Sequence, residues 1–242
     1  AGFNVDFAPV LDINTNPQNP IIGKRAFGTT PEAVTALAGA FLRGLQSTGV
    51  LGCGKHFPGH GETDTDSHLA LPVLDFDLAR MEAAEMRPFA ALADEMAMVM
   101  TAHILFRTLD AHLPATLSPT LLTPLLRAHC GFEGVIVSDD LEMKGVAETF
   151  SFRESVRLGL HAGVDLFLVC RREDALEESV DEAARILLDG GAAAERACDA
   201  IGRVRALRAR ACRPAPSVAA VQAAFQHADC GRLRSQFGIG NV

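Results

Sequence analysis

Residues 54–72 read GKHFPGHGETDTDSHLALP. The run holds three of the chain's eight histidines, together with Lys55, Glu62, Asp64 and Asp66. Core packing has no use for so many titratable groups in so short a stretch. Pro58, Gly59 and Gly61 keep most of it out of a helix. Residues 50–57 just before and into it are apolar enough for a buried strand, so the run is a strand end opening into a long polar loop. A second pole is Val135–Asp140, VIVSDD, an apolar run that ends in two carboxylates.

The same grammar repeats outward. Strand-like runs lie at 5–11, 50–57, 96–105, 134–138 and 164–170. The run MAMVMTAHIL is too apolar for one wet face and reads as buried on both. Helical periods lie between and after them, at 32–47, 78–94, 119–129, 148–161, 173–188 and 192–210. Thr30, Asp77 and Ser118 stand as N-caps, and Pro124 as a kink. Polar residues gather where strands end: Asp12, Lys55 and His56, His103, Asp139 and Asp140, and Arg171.

Alternating strands and helices with polar strand ends predict an α/β fold: a parallel sheet with its site at the strand C-termini. A closed (β/α)8 barrel takes about 250 residues. The length of 242 allows one. Five strand signals cannot close it, so either the sheet is open or three N-terminal units precede residue 1. The opening AGFNVDFAPVLD, almost directly a strand, favours the second. Residues 1–210 are expected to be the C-terminal part of the barrel, and 211–242 a weakly patterned tail.

The net charge of −8 argues against nucleic acid. No apolar run approaches the ~20 residues of a membrane span. Six cysteines without CxxC spacing read as buried free thiols of a reducing, cytoplasmic protein. With no Trp and no Tyr, a sugar site here depends on hydrogen bonds more than on stacking.

Several residues carry candidate chemistry. Asp64, Asp66 and His68 alternate and share a side if extended. Asp66 beside His68 would raise its basicity and fix its tautomer, making a proton shuttle, or the loop is simply solvated. Lys55 and His56 could grip hydroxyls, phosphate or carboxylate, or form a strand-end ion pair. His56 and His60 are four apart, but Pro58 and Gly59 between them spoil the helical geometry of a metal site. One of Asp139 and Asp140 suits a nucleophile or base, and the other a cap. Arg25 is a ligand clamp or an ordinary surface arginine, and Asp12 is sheet-mouth structure or a ligand contact. His103 reads as a satisfied core or supporting histidine. The arginines at 196, 203, 205, 208 and 210 read as a solvated helix face.

FAPVLDINTNP, IIGKRAFG, KHFPGHG…DSH, MVMTAHI, PATLSP and GFEGVIVSDDLEM, in this order, resemble family 3 glycoside hydrolases, and within them the bacterial β-N-acetylglucosaminidases of cell-wall recycling. The resemblance implies a (β/α)8 barrel and a retaining mechanism without metal or other cofactor. It implies Asp139 as nucleophile, His68 assisted by Asp66 as acid/base, and Arg25, Lys55 and His56 as sugar-binding residues. It implies a small carbohydrate as the partner, of the GlcNAc-anhydroMurNAc-peptide kind. The family's acidic, glycine-rich sugar-binding segment from an earlier strand has no match here. Two other readings stand beside it: a metal-dependent barrel hydrolase using His56, His60, Asp64 and His68, and an inactive sugar-binding fragment.

Overall fold

The computed structural model describes residues 3–67, 69–211, 217–226 and 232. The strands among them are β1 (Val5–Asp6), β2 (Leu51–Phe57), β3 (Val73–Leu74), β4 (Met98–Thr101), β5 (Leu105–Phe106), β6 (Val135–Asp140) and β7 (Leu166–Leu168). The helices are α1 (Pro31–Ser47), α2 (Leu78–Ala83), α3 (Arg87–Ala91), α4 (Pro119–Leu121), α5 (Lys144–Ala147), α6 (Phe152–Ala162), α7 (Glu173–Asp189), α8 (Gly191–Ala211) and α9 (Val218–Gln226). No helix of the described residues is long and apolar enough to cross a membrane.

One all-parallel sheet runs β1-β2-β4-β6-β7, and β3 pairs with β5 apart from it. The order follows the chain without reversal. Every right-handed crossover therefore places its connection on the same side, which is barrel winding rather than the two-sided winding of an open α/β sheet. The sheet is five strands of a (β/α)8 barrel, with edges at β1 and β7.

The two faces of the sheet are buried differently. Val99 and Ile136 face outward and pack with Leu42 of α1, Phe89 of α3 and Leu126. Cys53, Met98, Met100, Val135 and Val137 face inward, joined there by Leu207 of α8. The inward row continues to Lys55 and Asp139 at the strand ends, so period-2 alternation alone carries both into the barrel mouth. Gly54 faces outward, where a Cβ would fall 2.4 Å from Met96 Sδ and 2.7 Å from Leu11 Cδ1. Its lack of a side chain lets the outer layer close on the strand.

Several boundaries differ from the sequence reading. The run at 5–11 pairs as a strand only over β1, and Val10 forms a lone parallel bridge to Lys55. The run at 96–105 breaks after Thr101, and Leu105 starts the separate strand that pairs with β3. The helix expected over 78–94 becomes α2 and α3, because Pro88 has no N–H to continue the ladder. Beyond α4, Leu122–His129 winds as a π-helix; Pro124 removes an N–H there, and Cys130 N–H bonds back five residues to Leu125 O at 2.9 Å. The helix expected over 148–161 begins at Phe152, where Ser151 and Glu154 form a reciprocal capping box. Cys170 and Cys198 are exposed thiols, not buried ones; Cys53 and Cys130 are buried as expected. Of the tail, 212–216, 227–231 and 233–242 lie outside the described residues.

The arginines of α8 also depart from a plain solvated face. Asp165, whose side chain is fully buried, accepts from Arg196 Nη2 at 2.7 Å and Arg203 Nη1 at 3.2 Å through Oδ1. Its Oδ2 accepts from Arg127 Nη2 at 2.6 Å and from the Ile136 N–H at 3.0 Å. Burial draws the Arg127 guanidinium down to about 10, with Asp165 opposing. One carboxylate thus ties α8 and the π-helical segment to the start of β7. Replacing Asp165 by Ala strands three guanidinium groups, and we expect a loss of about 3 kcal/mol of unfolding free energy in urea titration; a loss below 1 kcal/mol would mean the arginines find water instead.

Candidate active site

The site is built from the strand ends upward. Asp12 follows β1 and is fully buried. Its Oδ1 accepts the backbone N–H of His56 at 3.1 Å and of His60 at 2.7 Å. Its Oδ2 meets His56 Nδ1 at 2.7 Å. Burial opposes ionisation of Asp12, but His56 and His60 outweigh it and hold the carboxyl below its ordinary range. The Lys55–His56 and Phe57–Pro58 peptides are cis.

From His60 the loop turns over a polar cluster. His60 Nδ1 lies 2.7 Å from Thr63 Oγ1, which itself donates to His60 O at 3.1 Å, so Nδ1–H is the donor to Thr63. His60 Nε2 then accepts from Ser67 Oγ at 3.0 Å. Ser67 is gripped again through its carbonyl, which accepts the Gly145 N–H at 3.1 Å. Asn19 Nδ2 donates to His60 O at 2.8 Å, while its Oδ1 accepts the N–H groups of Ile21 and Ile22 at 2.8 and 2.7 Å. The loop can press this close because Gly61 has no side chain: a Cβ there would sit 1.7 Å from Ile13 O.

Across the mouth, β6 delivers Asp139. Burial opposes its charge, but His56, His103, the Asp140 N–H and Lys55 together keep its pKa depressed. His103, itself buried, donates from Nε2 to Asp140 O at 3.0 Å, and its Nδ1 lies 2.8 Å from Thr116 Oγ1. It supports the strand end, as the sequence suggested. Asp140 Oδ1 accepts the Glu142 N–H at 3.1 Å, a local turn contact of the capping kind expected for one of the pair. Glu142 in turn accepts the backbone N–H groups of Cys170, Arg171 and Arg172 at 2.9, 2.6 and 2.8 Å, fixing the loop after β7.

Arg25, Lys55, His56 and Asp139 line one cleft of about 290 Å³, shared with Asp140, Ser67 and Cys170. So four of the six residues singled out by sequence come together. Asp66 lies on the adjoining loop, its carbonyl accepting the N–H groups of Leu69 and Ala70 at 2.8 and 3.0 Å. His68 lies outside the described residues. The long-range contacts of Glu142 and Asn19 had no local signal, their partners lying 28–30 and 41–44 residues away, whereas Thr63 stands three residues from His60 inside the same motif. No group of three His, Cys, Asp or Glu side chains converges as a metal site among the described residues.

Burial holds His60 and His103 below the ordinary histidine value of 6.5, desolvation being the largest cause for each. The unfolded chain therefore takes protons first as pH falls. Stability is whole above about pH 6.5 and declines below it, by up to about 1.4 kcal/mol per pH unit for each histidine. Asp12 and Asp139 act lower, below the ordinary aspartate range. Urea titrations between pH 7.5 and 5 should show this slope, and it should flatten in His103→Asn; an unchanged slope in that variant would assign it elsewhere.

The description of the glycosyl hydrolase family 3 N-terminal domain matches residues 1–207. A protein named beta-hexosaminidase from Neisseria meningitidis serogroup C is 44% identical over 178 residues, 73% of this chain and 49% of that protein. The chain spans about half the length of the curated relatives it matches. A family 3 β-N-acetylglucosaminidase structure from Paenibacillus is 39% identical, with a TM-score of 0.85 over 89% of this chain and 42% of the other. A β-N-acetylhexosaminidase structure from Beutenbergia cavernae is 32% identical, with a TM-score of 0.80 over 86% of this chain and 63% of the other.

Proposed function

The chain belongs to glycosyl hydrolase family 3, through the N-terminal domain of that family, and from this premise we propose that it serves a retaining exo-β-N-acetylglucosaminidase. The observation that carries the reading is one ionised carboxylate, Asp139, in the same cleft as the cations Arg25 and Lys55 and the imidazole of His56. A sugar needs that combination: donors to hold its hydroxyls and one anion free to attack.

In the proposed cycle Asp139 attacks the anomeric carbon and forms a glycosyl ester as the bond to the leaving oxygen breaks. His68, assisted by Asp66, gives that oxygen its proton. It then takes a proton from the water that cleaves the ester, releasing GlcNAc and restoring Asp139. Asp139 is suited to the first step because its surroundings hold it anionic against burial. Ser67, which immediately precedes His68 in the sequence, is pinned by His60 and Gly145. A histidine carried on a loop can reach the leaving oxygen after the sugar is seated. The substrate class we infer is a muropeptide with terminal GlcNAc, met in the cytoplasm. The KHFPGHG…DSH segment supports this through its resemblance to cell-wall-recycling enzymes.

Release of p-nitrophenol from p-nitrophenyl β-N-acetylglucosaminide tests the reaction. Asp139→Ala should cut kcat/KM at least about a thousandfold, and His68→Ala by about a hundredfold or more. Parent-like turnover in Asp139→Ala would remove the nucleophile from the scheme. Turnover abolished by a chelator and restored by a divalent metal would favour the metal-dependent alternative.

A further inference from the structure

Asp12 takes no part in the cycle above, yet its carboxylate touches the sugar-facing histidine. Both of its oxygens are used: Oδ1 by the N–H groups of His56 and His60, Oδ2 by His56 Nδ1 at 2.7 Å. An ionised carboxylate has no hydrogen to give. The proton of the Asp12–His56 contact therefore sits on Nδ1. The backbone N–H of the same residue is held by the same carboxylate, so the imidazole is fixed at two points and its orientation with it. His56 is nearly buried and lines the cleft, which leaves Nε2 as the ring nitrogen for the ligand.

What the cleft offers on its other walls gives that nitrogen its meaning. Arg25 and Lys55 can only donate. Asp139 accepts, but one of its oxygens is already engaged by the Asp140 N–H at 2.9 Å, and the carboxylate is the attacking group. A hydroxyl that receives a hydrogen bond from a cation still has a proton to place. A bare Nε2 on His56 accepts it without placing another carboxylate beside Asp139 and Asp140.

We propose that Asp12 is a positioning residue that fixes the proton of His56 on Nδ1, so that His56 meets a sugar hydroxyl through Nε2 as a hydrogen-bond acceptor. The occupant of the cleft rests on the glycosidase reading; the tautomer does not.

The test reads the two separately. In the ¹⁵N-labelled protein, long-range ¹H–¹⁵N spectra of the ring should show His56 with a protonated Nδ1 and a bare Nε2 at the pH of the assay, assigned by its loss in His56→Gln. A protonated Nε2 in the parent, as the other tautomer or as imidazolium, overturns the proposal and needs no variant to fold. Asp12→Asn keeps an oxygen for the two backbone N–H groups but presents an amide N–H₂ to the ring. It should move the proton to Nε2 and lower kcat/KM on p-nitrophenyl β-N-acetylglucosaminide by about a hundredfold. A merely structural Asp12 would leave the tautomer where it was in Asp12→Asn, and that result also overturns the proposal. A parent without turnover but with the Nδ1–H tautomer counts against the glycosidase reading and supports the role of Asp12.

Discussion

A single buried carboxylate, Asp12, organises the mouth of this barrel. It receives three hydrogen bonds from two histidines that bracket Phe57-Pro58-Gly59. A buried carboxylate without donors would surrender its charge. Here the donors are the backbone and ring of the residues that shape the site, so satisfying Asp12 and forming the loop are one event. The consequence spreads in two directions. Through His56 it reaches the cleft and Asp139. Through His60 and its contact with Ser67 it reaches the base of the loop that carries Asp66.

The opposite wall is fixed by a parallel device. His103 holds the Asp140 carbonyl from inside the protein, backed by Thr116 and Thr101 at 2.8 and 2.9 Å. Glu142 gathers three backbone N–H groups of the loop after β7. Both walls thus depend on polar groups that do not face a ligand. Strand alternation brings Lys55 and Asp139 to the mouth, and these contacts keep them at a set distance from one another.

Much of this was legible in the chain. The polar strand ends, the five strand runs and the helix caps at Thr30, Asp77 and Ser118 are local signals, and each of those caps forms the expected side-chain bond. Lys55, His56 and Asp139 could be singled out because chemistry-bearing residues after an apolar run have few other uses. Asp12 could only be left between structure and ligand contact, because its partners lie 44 and 48 residues away. Asp165 was hidden for the same reason: it opens an apolar run and looks like a strand boundary, while its arginines come from 31 to 38 residues off. The split at Pro88 was readable and the capping box at Ser151 was too; a continuous apolar period masked both.

The inner face of the sheet carries one more implication. Among the described residues, the side chains that close over Cys53, Met98, Met100, Val135 and Val137 from outside the strands are Leu207 and Val204, both on α8. That helix lies after every strand of the described residues, and Asp165 secures it through Arg196 and Arg203. During synthesis on the ribosome the strands emerge first, with two methionines and two valines of their inner row still wet. Until residue 207 clears the exit tunnel this inner row stays open on its α8 side, where a chaperone that holds apolar surface has something to protect.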